Sequence, residues 1–359
     1  MSMQVERAIE LYQQASDAEA QGNVERAEML YLECVNIFKQ AGDMHIADAA
    51  NVLNTLGLMR QELGDHKGAL AAAEEAARML ESITEAESSR DVREIRLQVW
   101  GLAGNVYRHL AKYAEAGQVL IQALNYAIEH FGEADEETSA ARNHLGILYK
   151  YTGEFEKAEK LYRTALANLI EQRGEENSFV ATIYHNLGGL AHARGDFAAG
   201  EAEARKAWEI RKRLLGEDDP AVLADAAAYA GVLDGLERYD ESEPIYRRAL
   251  EVFEKMYGEE HYEIVVNLNN LANVCYAKGD VQEAETLFRK SLAIKEKILG
   301  ADHPDTALTV NNLGVLLQSM GRNKEARDLF TRALQVFTIQ LNEDHPHAQM
   351  ARENLAAVS

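Results

Sequence analysis

The sequence predicts an all-α solenoid, and three observations point there. Small residues recur at Ala15, Gly57, Gly104, Gly146, Gly188, Ala230, Ala272 and Gly314, in steps of 42, 47 and then 42 five times. A fixed period of that length means one supersecondary unit stacked on itself. Two further small positions keep the same step: Ala27, Ala69, Ala116, Ala158, Gly200, Ser242, Ala284 and Ala326, then Cys34, Ala76, Ala123, Ala165, Ala207, Ala249, Ser291 and Ala333. Large apolar residues flank them at spacings of three, four and seven, as in Leu313, Leu316, Leu329, Phe330 and Leu334, which form one apolar face on a helix. The expected architecture is a right-handed superhelical solenoid of antiparallel helix pairs, about eight repeats plus a C-terminal capping helix.

Each unit reads as helix A followed by helix B, and the small residues let the two approach closely. Helix A ends near Gly22, Gly64, Gly153, Gly195, Gly279 and Gly321, where glycine can take the left-handed conformation past a helix end. Helix B is expected to end the same way at Gly132, Gly174, Gly216, Gly258 and Gly300, with Asn342 next in register. Asp219-Pro220, His303-Pro304 and His345-Pro346 then mark helix starts, since proline at the first helical position loses no hydrogen bond. The units fall at 4–45, 46–92, 93–134, 135–176, 177–218, 219–260, 261–302 and 303–344, with the cap at 345–359, all in a single solenoid domain. The second unit carries five extra residues in a polar stretch at 84–94, read as a longer loop.

The chain has 359 residues, 47% of them apolar, and a net charge of −22. So acidic a surface argues against nucleic acid and anionic membranes as partners, because phosphate binding needs a basic field. The opening residues contain no apolar signal stretch, and no apolar run reaches membrane-spanning length. Cys34 occupies a position filled elsewhere by Ala or Ser, so it reads as a buried free thiol, and a cytoplasmic location is expected.

The small-residue pattern, with glycine between the helices, resembles the tetratricopeptide repeat. Phrases such as HPDTALTVNNLGVLLQSMGRNKEARDLFTRALQVFTIQLNEDHP and LNNLANVCYAKGDVQEAETLFRKSLAIKEKILGADHP resemble its kinesin light chain-like form over roughly residues 5–358. The segment by which light chains pair with the motor is not seen, so a free-standing relative is expected. The resemblance implies that helix A lines a concave groove that holds peptides or partner helices.

On that face the candidate binding residues are Asn105, Arg108, His109, Asn143, His144, Lys150, Tyr151, His185, Asn186, His192, Asn269, Asn270, Asn273, Tyr276, Asn311 and Asn312. Carboxamides offer both donors and acceptors to an extended backbone, or equally to a neighbouring helix. The cations and aromatics between 105 and 192 suit an acidic or carboxylate-bearing peptide, unless Arg108 and Lys150 pair with glutamates on the rim. The position three residues before the small one holds no Lys or Arg, so the carboxylate clamp of chaperone-tail receptors is not expected. No catalytic or metal-binding spacing occurs, and no cofactor is expected. His303 and His345 read as loop and cap residues. The expected function is a non-enzymatic adaptor binding a protein or peptide partner. The alternative is a self-assembling scaffold joined through solenoid ends or convex faces.

Overall fold

The computed structural model describes residues 3–86, 88–341 and 343–358. Among them the chain is an all-α repeat solenoid with no strand. It groups into two compact units, residues 1–144 and 145–359.

The first unit contains α1 (Met3–Ala20), α2 (Val24–Ala41), α3 (Ile46–Glu62), α4 (His66–Glu81), α5 (Arg90–His109), α6 (Tyr113–Phe131) and the start of α7 (Glu136–Tyr151). Neighbouring helices pack as A/B pairs through the small residues, with Ala15, Ala27 and Cys34 fully buried beside Leu11 and Tyr31. The Cys34 thiol is free and donates to the Ala8 carbonyl at 3.2 Å, as a buried repeat-position residue should.

The turn between A and B needs a positive φ in every unit. Where the sequence has no glycine, the register still imposes it: Ala111 sits at φ 57° and Glu237 at φ 59°. A side chain there strains against the following carbonyl by about 1–2 kcal/mol. Ala111→Gly and Glu237→Gly are therefore each expected to raise stability by about 1 kcal/mol, less the entropy lost by a more flexible unfolded chain. Urea melts of the two variants check this, and a loss of stability in both would refute it.

The helix B ends differ from expectation. Gly216, for example, has φ 91° but ψ 165°, which is not left-handed helical but a mirror-extended conformation that only glycine adopts freely. This geometry turns the chain from B into the next A. Asn342 lies outside the described residues.

The second correction concerns 84–94. Helix α5 already begins at Arg90, capped by Ser89, and the shorter loop before it is tied down. Glu85 takes ion pairs from Arg93 and Arg96 and hydrogen bonds from Tyr126, while Arg96 also donates to the carbonyls of Leu80 and Ile83 at 2.9 and 3.1 Å. One buried guanidinium thus satisfies carbonyls at the end of α4 that a helix leaves unpaired.

The second unit contains the end of α7, then α8 (Phe155–Arg173), α9 (Ser178–Arg194), α10 (Phe197–Leu215), α11 (Pro220–Gly235), α12 (Tyr239–Tyr257) and α13 (Tyr262–Ala277). After them come α14 (Val281–Ile298), α15 (Pro304–Ser319), α16 (Asn323–Gln340) and α17 (Pro346–Ala357). Prolines 220, 304 and 346 all stand at the first helical positions. The preceding Asp219, His303 and His345 side chains each accept from the backbone N–H two residues on, as N-caps do. Helix α17 covers the last pair, burying Ala348 and Ala351 against Val310 and Phe337. No helix among the described residues is long and apolar enough to cross a membrane.

Candidate functional site

In the first unit the A-helix face is built by α5 and α7. Gly101 has no side chain, and a Cβ there would stand 3.1 Å from His144 Nε2. That gap admits the His144 ring, whose Nδ1 lies 3.0 Å from Asn105 Nδ2. The amide must donate, so His144 is neutral with its proton on Nε2. Burial, and secondarily the Arg108 guanidinium, push its pKa down to about 4. Arg108 Nη2 lies 2.8 Å from His109 Nε2, and the His109 ring stacks on His66 at 4.7 Å. Asn143 is half-buried on the same helix as His144. Beside His144 is a small pocket of about 40 Å³ lined by Leu97, Gly101, Leu120, Ala140 and Glu137. Burial first, then Glu94, Asp135 and Glu136, raise the Glu137 pKa to about 7. An NMR titration should find the His144 midpoint near 4 with the Nε2–H tautomer at neutral pH; a midpoint at 6.5 or above would refute this environment.

In the second unit the face is built by α9, α11, α13 and α15. Its centre is Asp225, only 3% exposed, inside the apolar run of α11. Arg211 Nε donates to it at 2.6 Å, and His185 Nδ1 lies 2.8 Å from its other oxygen. Arg211 also donates to Thr182 Oγ1 at 3.1 Å, so α9, α10 and α11 are joined by one polar group. The carboxylate holds the imidazole with Nδ1 as donor. Glu263 on α13 is close enough that His185 acts on its charge, although burial dominates and raises the Glu263 pKa.

Lys150 extends over the Tyr151 ring at 5.4 Å and reaches within 3.5 Å of the point where a Gly189 Cβ would be. His192 stands edge-on to Phe197 at 5.5 Å, and a Cβ on Gly231 would come 3.4 Å from its ring. Its accessible edge opens to solvent. The surrounding walls lower its pKa, through desolvation first and the Lys150 ammonium second. Glycines at 189 and 231 thus leave room for two long cationic or cationisable side chains on one face.

The asparagine row divides. Asn186, Asn269 and Asn311 were expected to face solvent; they are instead buried, at 7%, 7% and 1% exposure. Asn269 accepts from Thr309 at 3.1 Å, and Asn311 accepts from Asn354 of the capping helix at 3.0 Å. In these two the carboxamide is taken up by the next repeat. Asn273 is exposed, and Asn270, Asn312 and Tyr276 are partly so. Sequence reading passed over Asp225 and Arg211. The available signal was a single acid in LADAAAYAGV, since a charge within an apolar run requires a partner. No group of three or more His, Cys, Asp or Glu among the described residues is placed to hold a metal ion.

A family model described as tetratricopeptide repeat matches residues 6–82, 96–171, 179–255, 223–285 and 263–339. No curated protein matches the chain. Among solved structures, the chain is similar to the Rap conjugation gene regulator of the plasmid pLS20 in complex with the Phr* peptide. The identity is 15% and the TM-score 0.65, over 94% of this chain and 98% of that one. A Rap protein complexed with competence and sporulation factor is similar at 13% identity and TM-score 0.59, over 99% and 98%. BtubC (BKLC) from P. vanneervenii shares 24% identity with a TM-score of 0.46, over 67% and 93%.

Proposed function

Because the chain belongs to the tetratricopeptide repeat family, we propose that it is a non-enzymatic adaptor. In this reading a peptide segment of a partner protein lies in the groove lined by the A helices. The observation that carries it is the face of α9 and its neighbours in the second unit. Lys150 and His192 each stand against a glycine, Gly189 and Gly231, rather than a filling side chain, and Asp225 fixes His185 on the same helix as His192. Helices already fixed by their neighbours spare the receptor most of the ordering cost of binding. The Rap regulator solved with the Phr* peptide, and the Rap protein solved with competence and sporulation factor, support the reading by analogy of fold.

The chemistry suggests the class of partner. In a chain of net charge −22, the Lys150 ammonium on this face favours a peptide with carboxylates, which a lysine holds as a point charge. Asn270, Asn273 and Asn312 remain to bind its backbone. The first unit's face, with Arg108, His109 and Asn143, is a second stretch of the same kind.

Selection of peptides from a random displayed library tests the proposal. Peptides enriched on the wild-type chain should carry acidic residues. They should bind at least ten-fold more weakly to Lys150→Glu/His192→Glu, with far-UV circular dichroism unchanged. Equal binding by both chains, or no enrichment over background, would overturn it.

A further inference from the structure

Within the second unit, elements far apart in sequence meet. Helices α8 to α17 pack in succession, each on the next, and the residues that open α17 approach those between α7 and α8. His345, the N-cap of α17, is 5% exposed and lies 3.1 Å through Nε2 from the carbonyl of Tyr151, the last residue of α7, which leads into the turn before α8. Gly153 of the same turn has φ 79°, and a Cβ there would meet Pro346 Cδ at 3.3 Å. Residues 151–153 thus fit against 345–346, 194 positions away in the chain for the hydrogen-bonded pair.

We infer that this contact is a latch that closes residues 145–359 into a ring, and that its opening widens the groove bounded by α7, α9, α11, α13, α15 and α17. The groove's part in binding rests on the adaptor reading; the latch itself does not. Both ring nitrogens of His345 are in use. Nδ1 accepts from the His347 N–H at 3.1 Å, so Nε2 carries the proton and donates to Tyr151. The capping role is shared with other units: Asp219 caps α11 in the same Asx fashion, ahead of a proline at the same position. Only the long reach of imidazole adds a bond across the ring. A succession of packed helices carries small rotations from one repeat to the next, so a single fixed contact at the seam restrains them all.

The chain's own use of Asp219 supplies the separating variant. His345→Asp and His345→Asn keep a capping oxygen but cannot reach Tyr151. Spin labels at Glu156→Cys and Glu353→Cys, both exposed, would report the seam distance in the full chain. The native Cys34 and Cys275 are buried, and burial pushes their thiols up to about 11 and about 12, so they compete little for label. The wild type should give one narrow distance distribution, and both variants a broader one displaced to longer distance, with helicity retained. An unchanged distribution in either variant overturns the latch, as does a shift in the aspartate variant alone, which would report its charge. A shift in both variants with no peptide bound by any chain supports the latch and removes the adaptor reading instead.

Discussion

Arg211→Ala is expected to cost about 3–5 kcal/mol, the largest loss for any single polar side chain in the second unit. Removing the guanidinium leaves the Asp225 side chain 3% exposed, with only His185 to hold it. Arg211 is itself 13% exposed at its side chain, so the pair has already lost most of its hydration. Taking away one partner of such a pair exposes the full desolvation penalty of the other, whereas taking away both does not. The double variant Arg211→Met/Asp225→Ala should therefore recover most of the loss. Urea melts of wild type, both single variants and the double variant measure this as a coupling energy. A single-variant loss under about 1 kcal/mol would mean that water reaches Asp225. The same cycle bears on the site. Without Asp225 the His185 ring is free to rotate, so peptide affinity should fall in the double variant even where stability has returned.

Much of this fold was legible because the repeat dictates it. The register located the A/B turns so firmly that it holds even where glycine is absent, at Ala111 and Glu237. It also placed Pro220, Pro304 and Pro346 at helix starts, with the caps before them. The candidate site was less legible for a physical reason. A carboxamide satisfies a peptide backbone and a neighbouring helix with the same atoms, and the sequence does not say which is nearer. Asn269 and Asn273 lie one turn apart on α13, yet one is held by Thr309 and the other faces solvent. The seam between His345 and Tyr151 was out of reach altogether. It depends on the rotation accumulated over several repeats, and a fixed period in sequence leaves that rotation unspecified.

Gly188→Ala and Gly314→Ala occupy the same repeat position, yet their effects should differ by about 2 kcal/mol. Alanine in place of a helical glycine gains about 1 kcal/mol in propensity, so any loss comes from contact. At Gly314 the new Cβ would lie 2.6 Å from Phe330 Cε1, the edge of a side chain. Three other repeats already pair alanine with an aromatic ring sixteen residues on: Ala15 with Tyr31, Ala230 with Tyr246 and Ala272 with Phe288, every one buried. The ring can shift to the place it takes there, and the net change should be near zero. At Gly188 the new Cβ would lie 2.8 Å from Ala204 Cβ, 3.0 Å from its Cα and 3.2 Å from its nitrogen. Backbone cannot turn aside as a ring does, so α9 and α10 must separate, and overpacking of that kind costs about 1–3 kcal/mol. Adding Ala204→Gly removes the closest of the three contacts and should restore part of the loss. If thermal melts show the two alanine variants equally stable, then the spacing of α9 and α10 yields more readily than the closeness of Gly188 to Ala204 implies.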